Sequence, residues 1–302
     1  MNSKLRPTTT PPESPPVLAQ RRPYRVMEHV SNLLFVLMHL ALLLVFVVPV
    51  SGKVLALALG GYALRMWAVT AGYHRYFAHR SYKTSRAFQL VLAMLGAMSM
   101  QNGPLWWAST HRRHHKYSDT PRDPHSPVPR GFWYAHLGWN FDRWRPAPDE
   151  RSNVRDLSRF PELVYVDSHE WIFIVTYAFI CLAIGGAAGV VWGFVVSTLA
   201  VFHATMCINS LAHVWGSRRY ATGDESRNNG LLAILTFGEG WHNNHHHAMH
   251  TARQGFYWWE VDFTYYTLRV LAALGIIWGL REPSAAVLAG QRVASDGSEM
   301  PS

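Results

Sequence analysis

The chain has 302 residues, of which 49% are apolar and 16% charged, and it carries a formal net charge of +9. Its 13 Trp, 13 Tyr and 14 Phe exclude a disordered chain, which is poor in aromatics and rich in charge. Two cysteines exclude a disulfide scaffold; Cys181 and Cys207 both lie inside apolar runs and read as small core residues.

Taken in chain order, residues 1–28 form a polar tail rich in Pro, Thr and Ser, with no apolar stretch of a secretory signal. From His29 to Gly52 no formal charge occurs, and from Val54 to Tyr73 the only one is Arg65. A helix crossing a bilayer needs roughly 20 apolar residues, so crossings are expected at about 31–50 and 54–73, joined by the Pro49–Lys53 turn. The uncharged run 87–103 ends in Gln101-Asn102-Gly103-Pro104 and fits a buried or re-entrant helix. From Trp171 to Ser217 no charge occurs, which is room for two more crossings, about 170–188 and 191–213, with a turn at Gly185-Gly186-Ala187-Ala188-Gly189. The apolar segment 264–280 is short and reads as an interfacial or packing helix. Residues 29–281 therefore form one all-α integral membrane domain, and 282–302 a polar C-terminal tail.

Four crossings put both termini and the middle segment on one side. Lys53 lies on the other side and Arg65 within a crossing; the remaining basic residues share the side of the termini. Basic residues mark the cytoplasmic face, so the termini and the middle segment are expected there. This segregation also accounts for the positive charge without a nucleic-acid partner.

Histidine is the outlying residue, with 17 copies. Nine fall in four clusters: His74 and His79; His111, His114 and His115; His213, four residues after Asn209; and His242, His245 and His246. Each residue of an α-helix advances about 100°. In the two HxxHH boxes the outer pair, His111 with His115 and His242 with His246, is about 40° apart and shares a face. The middle histidine lies about 60° to the other side. One box can thus serve two neighbouring ions. His74 and His79, about 140° apart on a regular helix, can meet only where the helix ends or bends. Imidazole suits Zn, Cu, Fe and Ni, and no CxxC pattern points to thiolate zinc or an iron–sulfur cluster. Nine imidazoles imply two ions. The other histidines, His29, His39, His125, His136, His169, His203, His247 and His250, read as hydrogen-bonded or exposed.

The motifs HRYFAH, QNGPLWWASTHRRHHKYSDTPRDPHSP, RGFWYAHLGW, NSLAH and GEGWHNNHHHAMHTARQGFYWWEVD resemble those of the membrane fatty acyl desaturases, in the Δ9 branch that includes stearoyl-CoA desaturase. The resemblance covers about residues 30–280. It implies four membrane helices under a cytosolic helical cap holding two non-haem Fe ions. One iron would take His74, His79, His111, His115 and His245. The other would take His114, His213, His242 and His246, with Asn209 contacting it through a water. The implied reaction is O2-dependent removal of two hydrogens from a fatty acyl chain, leaving a cis double bond. Trp107 and Thr205 resemble the residues at the bend of the acyl tunnel, and Asn102 and Arg143 resemble substrate-contacting positions. At the acyl-CoA headgroup site the chain departs from the animal enzymes, with Ser109-Thr110 in place of an Arg-Asp pair, Trp144 in place of a basic residue and Met206 in place of Trp. The donor is thus acyl-CoA or a membrane lipid. Electrons are expected from an external ferredoxin or cytochrome b5-like protein, since the sequence shows no four-cysteine cluster and no flavin glycine motif. A di-iron fatty acyl or alkane hydroxylase is the alternative. A histidine-lined metal transporter would need ligands along a pore, whereas these nine gather at one side of the membrane.

Overall fold

The computed structural model describes residues 26–142 and 152–290, with side chains from Asn32 onward. Residues 1–25 of the predicted N-terminal tail, residues 291–302 of the predicted C-terminal tail, Arg143 and Trp144 lie outside the described residues; residues 26–28, placed in the tail by the sequence, begin a helix. The fold is helical; the only strands described are Lys83–Thr84 and Ile277–Trp278, an antiparallel pair.

Two helices are long and apolar enough to cross a membrane, Gly52–Ala78 and Glu170–His213. Ser51 starts the first by accepting from the Val54 amide at 3.4 Å. The second folds back on itself at Gly186, whose φ of +59° and ψ of −148° break the helix inside the predicted glycine-rich turn. Tyr177 on the outgoing arm donates to the Gly193 carbonyl on the returning arm at 2.8 Å. The same tyrosine crosses Gly61, where a Cβ would meet its hydroxyl, so the glycine lets the two helices touch. The first predicted crossing, 31–50, is a shorter helix. An α-helix over Val26–Ala41 tightens into 3-10 geometry over Leu42–Phe46 and ends before Pro49. Its apolar part, Asn32–Phe46, is shorter than the two long helices. Leu34, Leu37, Leu40, Leu43, Phe46, Leu59, Phe179 and Leu182 all point outward. Apolar side chains on the outside are the pattern of helices solvated by lipid.

Arg65, the one charge in the Val54–Tyr73 run, is fully buried. Its guanidinium donates to the Gly61 carbonyl at 3.0 Å and to the Thr198 and Ser197 hydroxyls at 2.5 Å, and lies 4.1 Å from the centre of the Tyr177 ring. Hydrogen bonds within its own helix and to the returning arm thereby solvate a cation that water cannot reach.

The ambiguous 87–103 run forms the helix Arg86–Ala97, capped by Ser85. Its 12 residues span about 18 Å, too short to cross. It packs against Ala68–Ala78 and Glu170–Ala188. The helix Pro104–Tyr117 starts with proline in its first turn, and Asp167 accepts from the Leu105 and Trp106 amides at 2.8 and 2.9 Å. The helix Phe263–Ala273 packs against the upper part of Gly52–Ala78, with Trp67 donating to Thr267 at 2.7 Å. Packed chain continues past the predicted boundary at 281. A short helix, Ala285–Leu288, follows, and His247 bonds the Val287 carbonyl at 2.9 Å.

Candidate metal centre

The chain between Ala68 and Ala78 is π-helical. Its i→i+5 bonding continues at the end, where the His79 amide donates to the His74 carbonyl at 3.1 Å. Residues five apart therefore stack one turn above another, and the rings of His74 and His79 come within 4.8 Å, centre to centre. The bend that their spacing demands is this change of helical pitch. His111, His114 and His115 occupy the last turns of Pro104–Tyr117; His213 ends the 3-10 turn Leu211–His213; His242, His245 and His246 lie on the helix His242–His247.

The nine imidazoles meet as two sets. His74, His79, His111, His115 and His245 form one; His114, His213, His242 and His246 form the other; within each set the nitrogens lie within 4.8 Å of one another. His114 parts from His111 and His115, and His245 from His242 and His246, as the helical angles require. In the first set Nε2–Nε2 separations are 3.1 Å for His74–His245, 2.8 Å for His79–His111, 2.9 Å for His111–His115 and 2.9 Å for His115–His245. In the second they are 3.4 Å for His114–His246 and 3.1 Å for His213–His242. Ligands about 2.1 Å from a metal stand about 3.0 Å apart at right angles and about 3.4 Å apart in a tetrahedron. The spacings are those of two coordination shells.

Buried carboxylates fix the rings. Nδ1 of His114 donates to Asp123 at 2.9 Å, of His213 to Asp119 at 3.1 Å, of His246 to Asp224 at 2.7 Å and of His74 to Glu239 at 2.5 Å. With the proton on Nδ1, each Nε2 holds a lone pair. His114 and His246 then point lone pairs at each other, a repulsive contact unless a cation lies between them. The residues thus fit metal ions. The carboxylates are held in turn: Asp119 accepts from the Ser126 hydroxyl at 2.6 Å and the Glu225 amide at 2.7 Å, and Glu239 is paired with buried Arg75 at 3.2 Å. Such outer partners orient metal-binding histidines and raise their basicity.

Burial, then the charge of neighbouring rings, holds His79, His111, His115, His242 and His245 well below the ordinary imidazole range. Burial brings His246 down to about 4 against the pull of Asp224. At His114 burial also pushes downward, but Asp123, Asp119 and Asp224 together raise it. Burial works against Asp119, Asp123, Asp224 and Glu239, yet all four are held below the usual carboxylate range by their histidine partners and, for Glu239, by Arg75.

A cavity adjoins both sets. It is lined by Met66, Val69, Thr70, Thr205, Ile208, Asn209, Thr236 and Glu239, together with His74, His111 and His242. Trp107 lies in the same wall, stacked on His111 at 5.0 Å. Gln101 joins the two residues matched to the tunnel bend: it accepts from Trp107 Nε1 at 3.3 Å and donates to Thr205 at 3.0 Å. Asn209 lines this cavity near His242, its amide 3.6 Å from the Met206 sulfur. The Asn102 side chain is exposed and absent from the cavity wall; its carbonyl accepts from Tyr73. Asp119, Asp123, Asp224, Glu239 and Gln101 escape a reading by spacing. The one trace they leave is that Asp119 and Asp123 are acidic residues in a strongly basic stretch.

Among the other histidines, His39, His203 and His136 form a chain of their own, with ring nitrogens 3.1 and 3.0 Å apart. His125 stacks on His114 at 4.6 Å and forms, with His114 and Asp123, a third group of potential ligands.

A fatty acid desaturase family model matches residues 51–276. The chain is 40% identical over 232 residues to Delta-9 acyl-lipid desaturase 1 of Arabidopsis thaliana, covering 76% of each protein. It is 40% identical over 231 residues to acyl-CoA C20 Delta5-desaturase of Anemone leveillei, covering 72% of this chain and 70% of the relative. It is 35% identical over 274 residues to hex-5-enoyl-[acyl-carrier protein] acetylenase of Moorena producens (strain JHB), covering 84% and 85%.

Proposed function

Since this chain belongs to the fatty acid desaturase family, in its Δ9 branch, and is an oxidoreductase acting on fatty acyl chains, we propose that it introduces a cis double bond near carbon 9 for unsaturated fatty acid biosynthesis, at a centre of two non-haem Fe ions. The observation that carries this reading is the convergence of nine imidazole nitrogens in two coordination-like sets, three of the rings lining a mostly apolar cavity. His74, His79, His111, His115 and His245 would hold one ion; His114, His213, His242 and His246 would hold the other, with Asn209 reaching it through a water. Ions held there would supply the O2-dependent oxidising chemistry that an unactivated methylene requires.

The chain's own residues do the rest by placement. Met66, Val69 and Ile208 desolvate the acyl chain. Trp107, held by Gln101 and stacked on His111, forms the wall at which the chain bends. Thr205, fixed by the same amide, closes the opposite side. Choosing which two carbons lie beneath His74, His111 and His242 selects the bond. Asn102 and Arg143 would contact the polar end of the substrate.

The two long apolar helices and the family make the protein membrane-associated. In the proposed topology, Val26–Phe46, Gly52–Ala78 and the two arms of Glu170–His213 make four crossings, with the histidine-bearing cap and both termini in the cytoplasm. Relatives are named for lipid-bound, CoA-bound and carrier-protein-bound acyl groups, so acyl-CoA and membrane lipid both stand as donors. Electrons come from a ferredoxin or a cytochrome b5-like protein.

Expression in a host that makes no unsaturated fatty acids tests the function. A cis-Δ9 monoene in total lipid is the expected product. A hydroxy fatty acid would replace desaturation with hydroxylation, and a saturated profile with iron bound would overturn both.

A further inference from the structure

The reaction proposed above needs more electrons than its substrate provides. Its balance is R–CH2–CH2–R + O2 + 2 H+ + 2 e− → R–CH=CH–R + 2 H2O. Two of the four electrons reaching oxygen leave with the two hydrogens of the chain, and two must arrive from outside. The structure points to where they enter.

A second cavity, open to the surface, reaches the five-histidine set away from the acyl channel. His79 and His115 form part of its wall, and Arg80, Arg112, Lys116 and Arg281 surround them. Asp156 is the single acidic residue in that wall, 2.8 Å from both Arg80 and Arg112, and it leaves an excess of positive charge. Lys116 and Arg281 are exposed. The four-histidine set is the opposite in both respects. Its members are all buried, and behind them lie Asp119, Asp123 and Asp224. The acyl channel has neither Lys nor Arg in its wall.

We propose that the basic cavity over His79 and His115 is the docking face for an acidic one-electron carrier protein, which delivers the two external electrons singly at the five-histidine end of the centre. The inference rests on the desaturase reading for the need, and on charge and access for the place. Opposite charge steers an acidic carrier to this rim, while the four-histidine set, with all its members buried, offers it no direct access. The edges of His79 and His115 shorten the path to the metal to one imidazole ring.

The test reads binding, not turnover. Zinc occupies imidazole sites without redox chemistry, so zinc-loaded enzyme in lipid nanodiscs is titrated with an acidic [2Fe–2S] ferredoxin and, separately, with a basic c-type cytochrome. Ferredoxin is expected to bind and the cytochrome not. Ferredoxin affinity is expected to fall about ten-fold or more between 50 and 500 mM NaCl, and by a similar factor in the double variant Lys116→Glu/Arg281→Glu. Lys53→Glu, at the far end of the membrane helices, serves as the charge control. Lys116 adjoins His115, so Arg281→Glu alone is measured too, with zinc content checked in every variant. Absence of ferredoxin binding, or binding indifferent to these substitutions and to salt, overturns the docking face. Dithionite-driven olefin formation by the iron-loaded wild type is scored separately. Its absence would remove the desaturase reading, whatever the binding titration shows about the docking face.

Discussion

His74, His114, His213 and His246 each hold a carboxylate through Nδ1, and the consequences can be measured. Replacing His245 by Ala removes one corner of the five-nitrogen set; desaturation is expected to fall at least 100-fold, with metal content below that of the wild type by elemental analysis. Asp224→Asn is subtler. It keeps the shape beside His246 but removes the charge that orients and strengthens the ring. Metal affinity is expected to drop about 10- to 100-fold, with activity recovered by excess Fe(II) in the assay. Acid acts on the same rings. The folded values of His79, His111, His115, His242 and His245 lie below the unfolded value of about 6.5. Their contribution is present above that value and is lost as pH falls through the folded ones. His114 runs the other way, since its value is raised and its contribution fades as pH rises. His246, brought down to about 4, adds to the five, and six against one sets the sign: the melting midpoint of the metal-free protein is expected to fall between pH 7.5 and pH 5. The spacing of HxxHH made the division between the two sets legible, because helical angle is a local property. Asp224 and Glu239 were not legible, because each reaches its histidine through the fold.

At the scale of elements, the feature that matters most is the π-helix of Ala68–Ala78. It places His74 above His79, and it also places Arg75 on the inner face. There Arg75 bridges Glu239 and Asp262 and donates to the Ala252 carbonyl at 2.6 Å. One guanidinium thus ties the end of a membrane helix to two later segments that carry or flank the fourth histidine cluster. Arg75→Leu would leave two carboxylates buried without their cation, a loss of about 3–5 kcal/mol, read as a lower unfolding midpoint in detergent and as loss of both ions together. The sequence shows a spacing of five from His74 to His79 and the need for a bend, but the kind of bend depends on packing against Arg86–Ala97 and Pro104–Tyr117. The run 87–103 was ambiguous for a related reason: its apolar character fits lipid and protein equally, and its helix length decides.

For the whole molecule, charge segregation and helix reversal make one statement about orientation. In sealed inside-out vesicles, a cysteine placed at Lys53 should be shielded from a membrane-impermeant maleimide, and one placed at Arg130 should react. Labelling of both from the same side would remove the four-crossing topology while leaving the histidine geometry untouched. The hairpin at Gly186 was readable from sequence because glycines cluster midway along a run too long for one crossing.

Both nitrogen sets draw on the short helix His242–His247: one takes His245, the other His242 and His246. During translation neither is complete until that stretch has left the ribosome, long after the membrane hairpins have formed. A nascent chain therefore cannot close either coordination shell early, and metal loading has to wait for the C-terminal third of the chain.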